Sequence, residues 1–221
     1  MSFPPSYHSQ RAKSLRALAG EASRAKAVQA ATDLFATSGY RGTSIAKVAA
    51  QTGLSQSGLL HHFRTKTALL AAVLEQRGAE DGEFLTTGDG EAPLGWDAFD
   101  ALEALVARNS TRRHLVELFV RLSAEAIEEN HPAHQWVQDH YDGMEAWLTD
   151  AVRVAQARGE MRADAPVSVL VRTTIAVVDG LQQQWLVRPD RVSMVDEFSA
   201  HVAGLRARWG TVGQPDEATG Q

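Results

Sequence analysis

Thr43-Ser44-Ile45-Ala46-Lys47-Val48-Ala49-Ala50-Gln51-Thr52-Gly53-Leu54-Ser55-Gln56-Ser57-Gly58-Leu59-Leu60-His61-His62-Phe63 is the stretch that decides the fold. Ile45, Val48 and Ala49 repeat at i, i+3 and i+4, and Leu59 and Phe63 at i and i+4, so each side of Gly53 reads as a short amphipathic helix. Thr43 is the expected cap of the first, Gly53 allows the tight turn, Leu54 plugs the space between them, and Ser55 caps the second. That is a helix-turn-helix. With Leu54, Leu59 and Phe63 turned inward, Gln56, Ser57, Leu60 and His61 point out near the start of the second helix, where a major-groove reader touches bases.

Charge along the chain agrees with a polyanion partner for this segment. From residue 9 to residue 77 there are ten basic residues against three acidic ones, a balance of +7; the rest carries twelve against twenty-four, −12, and together they give the net −5. A basic head on an acidic body is thus hidden behind an unremarkable total, and all four lysines lie in the head. Such asymmetry suggests a nucleic-acid-binding module joined to something else. The 221 residues contain no cysteine, which excludes disulfides, thiolate metal sites and a cysteine nucleophile and fits a cytoplasmic protein. No basic-then-apolar signal pattern opens the sequence. Val167 to Val178, the most apolar run, is too short to span a membrane and is broken by Arg172.

Working outward, the periodicity is helical nearly everywhere, and the expected class is all-α. Ser23 to Thr37 reads as a helix with Gly39 as its left-handed stop, and another begins at Thr65. Thr86 to Gly95 reads as a loop. Helices follow over Asp97 to Asn109, Thr111 to Glu129, Pro132 to Gly159 and Pro166 to Val187. The last runs from a capping-box-like Ser193 to Trp209. The expected organisation is a disordered basic tail over residues 1–20, a three-helix DNA-binding domain with the helix-turn-helix over 21–77, a larger helical ligand-binding and dimerisation domain over 78–210, and a disordered tail over 211–221.

The residues from Gly42 to Leu70, continuing the quoted stretch through Arg64-Thr65-Lys66-Thr67-Ala68-Leu69-Leu70, resemble the DNA-binding signature of the TetR family of transcriptional regulators. The likeness is dense from Arg24 to Leu74 and looser beyond, where Asp179-Gly180-Leu181-Gln182 is similar to many members. The resemblance implies a homodimer, usually a repressor, that binds a double-stranded DNA operator and whose C-terminal domain binds a small molecule and lets go of DNA. It implies no cofactor and no enzymatic activity. Thr43 and Lys66 match phosphate-contacting positions, which suits a hydroxyl and an ammonium at helix starts. Lys47, Ser57 and Gly58 fall in the same DNA-facing set, and His61 and His62 sit where members touch the DNA backbone. Leu60 departs from the pattern, because a tyrosine is common there and leucine has no hydroxyl to donate. Gly58 costs about 1 kcal/mol against alanine in a helix, which a close approach of backbone to DNA would explain. Gln56 is the expected base reader, since its amide pairs bidentately with adenine.

Beyond the basic head the signals are weaker. Trp136, His140, Tyr141, Met144 and Trp147 share one long helix and read either as packed core or as the wall of a pocket for an apolar or aromatic effector, with Arg121, Glu125, Thr174 and Gln184 as orienting groups. Val195, Phe198, Val202, Leu205 and Trp209 are spaced 3, 4, 3, 4. With Ile175, Val178, Gly180 and Leu181 of the apolar helix they form the expected dimer seam. His131-x-x-His134 beside Glu125, Glu128 and Glu129 leaves open an α-helical metalloprotein or metalloenzyme, although two histidines at a helix entrance also serve as caps. A helical scaffold solubilised by its basic head is the third reading. No phosphate-binding loop or dinucleotide fingerprint is present, and Gly53-x-Ser55-x-x-Gly58 lacks the strand a nucleophile elbow needs.

Overall fold

The computed structural model describes residues 5–86 and 90–211, with side chains from residue 18 onward. Its described residues form α1 (Pro5–Gly42), α2 (Ile45–Thr52), α3 (Gln56–His62), α4 (Lys66–Leu85), α5 (Trp96–Ser110), α6 (Arg113–Glu125), α7 (His134–Ala157), α8 (Val167–Val187) and α9 (Met194–Trp209). Among them there is no strand, only an isolated bridge between Met161 and Gly210 that ties the end of α7 to the end of α9. No helix of the described residues is long and apolar enough to cross a membrane.

Helix α1 starts at Pro5, so the tail expected to be disordered over 1–20 is helical from Pro5 onward. Proline suits a first helical turn, and Arg11-Ala12-Lys13-Ser14-Leu15-Arg16-Ala17-Leu18-Ala19 is built of good helix formers, so nothing local stops the helix before Gly39. There φ is 72° and ψ 170°, a break inside α1. The expected tail over 211–221 falls outside the described residues except for Thr211. Helix α6 ends at Glu125 rather than 129, and α7 begins at His134 rather than Pro132. Between them the Nδ1 of buried His131 accepts the Ala133 N–H at 3.2 Å, which holds the chain in a turn and delays the next helix.

Two apolar clusters hold the helices together. The first gathers Phe35, Val48, Leu59, Phe63, Leu69 and Leu70 and continues into Leu118, Leu122 and Ala126 of the α6 end. Helix α6 packs along α1, which carries α2 and α3, so the helix-turn-helix rests on α6 through α1, and α4 runs unbroken through the expected boundary at residue 77. The second cluster packs Phe99 and Leu102 of α5, Leu148 and Val152 of α7, Val171 of α8, and Met194, Phe198 and Val202 of α9.

That second cluster takes in much of the expected dimer seam. Phe198, Val202 and Leu181 are buried within the subunit, and half-buried Leu205 packs on the same core. Ile175 and Val178 face an internal cavity. Heptad spacing marks the face a helix buries, and here the covering surface comes from the same chain. Gly180 is half-buried, and the outward side of α8 instead carries Val169 and Val187, which are 55% and 74% exposed.

Candidate DNA interface and effector cavity

Local chemistry sets the geometry of the helix-turn-helix. Ser44, not Thr43, caps α2, its hydroxyl accepting the Lys47 N–H at 3.2 Å. Gly53 closes the helix in the left-handed region at φ 71°, and Ser55 caps α3 by accepting the Gly58 N–H at 3.0 Å. A Cβ at position 58 would lie 3.2 Å from that capping hydroxyl, which gives Gly58 a structural reason independent of DNA. Leu59 and Phe63 are buried, while Gln56, Ser57, Leu60 and His61 are exposed on one side of α3. His62 is half-buried beside His61, with the two rings 5.7 Å apart.

Two expected phosphate contacts have other partners. Thr43 is buried, and its hydroxyl donates inward to Gly39 O at 2.9 Å and Leu34 O at 3.1 Å. Half-buried Lys66 donates from Nζ to Tyr40 O and Thr43 O, each at 3.0 Å, and lies 4.1 Å over the Tyr40 ring. Its ammonium thus ties the start of α4 to the backbone at the junction of α1 and α2. Lys47 is exposed; Nζ donates to Gly42 O at 2.8 Å and keeps two further donors for a phosphate. Lys66→Ala is expected to lower stability by about 1–2 kcal/mol, the range for charge-assisted bonds at a partly solvated site. Urea unfolding with an unchanged midpoint would contradict this role.

Tyr40, which the periodicity of the sequence does not single out, is the hub of the junction between the head and the body. Its N–H donates to Glu125 Oε2 at 3.2 Å, its hydroxyl pairs with Thr67 Oγ1 at 3.0 Å, and its ring meets His131 edge-on. With Nδ1 of His131 accepting from Ala133, the Nε2–H donates to Glu125 Oε2 at 3.2 Å. Arg41 forms a two-pronged pair with Glu128 alongside. Glu125 is therefore a joint residue rather than an effector contact.

Helices α4 to α8 enclose a cavity of about 300 Å³. Trp136, His140, Tyr141 and Met144 of the long helix line it, together with Phe119 and Leu115 of α6. Burial, helped by the Arg77 charge, holds the pKa of His140 below its ordinary value. The remaining candidates lie elsewhere. Trp147 donates its indole N–H to Pro93 O at 2.9 Å, Thr174 is buried against His201, and Arg121 and Gln184 are exposed away from the lining. Polar groups that do reach the cavity are Arg77, Asp81, Asn109, Asp139, Asp179 and Gln182, supplied by four different helices, which periodicity within any one of them does not disclose.

Residues 27–73 match the model of bacterial regulatory proteins of the tetR family, and residues 98–207 match that of the C-terminal part of BetI-type transcriptional repressors. The chain belongs to the TetR family. It is similar to the transcriptional regulator TtgR of Pseudomonas putida, 26% identical over 188 residues that cover 81% of this chain and 87% of that one. The repressor AcnR of Corynebacterium efficiens is 27% identical over 162 residues, 72% of this chain and 79% of its own. Among solved structures, the SmeT–triclosan complex shares the fold with a TM-score of 0.74 at 18% identity, covering 90% of this chain and 98% of that one. As a TetR-family member the chain is a DNA-binding transcriptional regulator, and the metalloprotein reading has no support. His131 has both ring nitrogens engaged, His134 donates from Nδ1 to Ala126 O at 2.7 Å, and among the described residues no three metal-ligating side chains come together.

Proposed function

We propose that this TetR-family protein works in the cytoplasm as a homodimeric, non-enzymatic repressor of a palindromic operator. An apolar or aromatic small molecule entering the cavity between α4 and α8 releases it from DNA. The observation that carries this reading is the continuity of α6. Leu115, Val116 and Phe119 of that helix line the cavity, and Glu125 at its end holds the Tyr40 N–H at the break that precedes α2. A ligand that shifts α6 therefore shifts the seat of the reading helix. A tenfold loss of operator affinity requires about 1.4 kcal/mol of differential binding between the two geometries. DNA must weaken ligand binding by the same factor.

The outward sides of α8 and α9 support the dimer. Val169, Ala176 and Val187 on α8 and Ala200, Ala203 and Ala207 on α9 are exposed, and small side chains let two helix pairs approach closely. The dimer interface proposed here is this outer face in place of the buried seam. The domain division near residue 77 is retained as a functional one, with the DNA-facing residues Lys47, Gln56, Ser57, Leu60, His61 and His62 before it.

Gln56 is exposed in the first turn of α3, where its amide reaches a base edge. Gln56→Ala is expected to cost about 1–3 kcal/mol on the cognate duplex and little on random DNA. Anisotropy titrations on both duplexes read this directly, and equal losses on the two would remove Gln56 from base recognition.

A further inference from the structure

The polar lining of the cavity is acidic. It contains one arginine, Arg77, and three carboxylates, Asp81, Asp139 and Asp179. Arg77 is already matched, since its guanidinium donates to Asp81 Oδ1 at 2.7 Å and to Asn109 Oδ1 at 3.2 Å, and Asp81 takes a second cation, Arg108, at 3.1 Å. His140 contributes no compensating charge, because burial favours its neutral form. Asp139 lies at the exposed rim and accepts from Gln135 Nε2 at 2.9 Å.

Asp179 differs from these. It is half-buried on α8, and the Tyr141 hydroxyl donates to its Oδ2 at 2.8 Å. Among the described residues, no lysine, arginine or histidine comes within ion-pair distance of it. Three residues further along the same helix Gln182 is only 8% exposed, lines the cavity, and has a buried Oε1 with no hydrogen-bond partner among the described residues. Asp179, with one donor and no counter-ion, and Gln182 Oε1, with no donor, both have acceptor capacity left over, and a buried acceptor without a donor is costly. Around them Phe119, Trp136 and Met144 offer apolar and π-rich surface that suits a cation's hydrocarbon body.

We propose that the effector is an organic cation, a protonated amine on an apolar or aromatic body, whose ammonium N–H groups bind Asp179 and Gln182. This rests on the cavity being the effector site. An ammonium supplies the counter-charge that Asp179 lacks and the donor that Gln182 lacks, whereas an anionic ligand would meet an uncompensated carboxylate. The balance of −12 outside residues 9–77 also draws cations toward the body in preference to anions.

The test is calorimetric titration of the full chain at pH 7 with three probes that share one body: 4-phenylbutylamine, 4-phenylbutan-1-ol and 4-phenylbutanoate. The amine is expected to bind at least tenfold more tightly than the alcohol, with the carboxylate weakest, and Asp179→Asn is expected to erase the gap between amine and alcohol. The wild-type series needs no variant to fold. An alcohol or carboxylate that binds as well as the amine, a gap that survives Asp179→Asn, or no binding of any probe overturns the proposal. Met144→Trp, which fills the cavity, separates the two levels. If all three probes bind it as they bind wild type, the cavity is not the binding site and the reading of the effector site fails, whatever the charge preference.

Discussion

Phe198→Glu is expected to unfold the helical body rather than to release folded monomers. The ring of Phe198 is fully buried in the cluster with Phe99, Leu102, Met194 and Val202, so the substitution removes a large apolar side chain and places a carboxylate in an apolar core. Phe198→Ala alone should cost about 3–5 kcal/mol. Against a total stability of about 5–15 kcal/mol for a domain, the added burial of a charge takes the glutamate variant to or past the unfolding limit. Circular dichroism and sedimentation measure both outcomes. A variant that keeps wild-type helicity and melting midpoint while becoming monomeric would return Phe198 to the dimer seam.

Gly39→Ala is expected to destabilise the joint between the head and the body through backbone strain and a clash together. At φ 72° and ψ 170° the backbone occupies a region that essentially only glycine enters, which costs an L residue about 1–3 kcal/mol. The added Cβ would lie 2.0 Å from Glu125 Oε1, so Glu125 has to swing away from the Tyr40 N–H and from His131. Leaving such a group without its partner costs roughly a further 1–3 kcal/mol. The clash and the strain are separable by a double-mutant cycle, because Glu125→Ala removes the obstacle without touching φ. Gly39→Ala in the Glu125→Ala background should therefore cost less than in wild type, retaining the backbone penalty alone. Strict additivity in urea unfolding would mean that the two residues do not meet.

What the sequence discloses follows from the range of the forces involved. The turn at Gly53 and the caps at Ser55 and Thr65 are set within three or four residues, so the helix-turn-helix and the outward face of α3 are legible directly. Thr43 and Lys66 are legible as helix-start residues, but their partners Gly39, Leu34 and Tyr40 are fixed by the break in α1 and by the approach of α4. The heptad spacing of α9 marks a buried face and carries no information on whether another helix of the same chain or a second copy covers it. In α7 the aromatic run divides. Trp136, His140 and Met144 line the cavity, whereas Trp147, one turn beyond Met144 in register, bonds to the loop before α5. Asp179 and Gln182 are visible in the sequence only as part of a family-like motif, because their significance depends on which charges α4, α5 and α7 bring opposite them.

Sequence-specific reading of DNA by α3 is the claim on which the rest depends, and selection of duplexes from a random-sequence pool by the full-length protein tests it most directly. The structure predicts enrichment of a symmetric site bound by an even number of chains, with log K falling linearly and steeply as log salt rises, by about 0.9 per phosphate neutralised. A pool that shows no enriched sequence after selection, or binding whose strength does not change with salt, would contradict it.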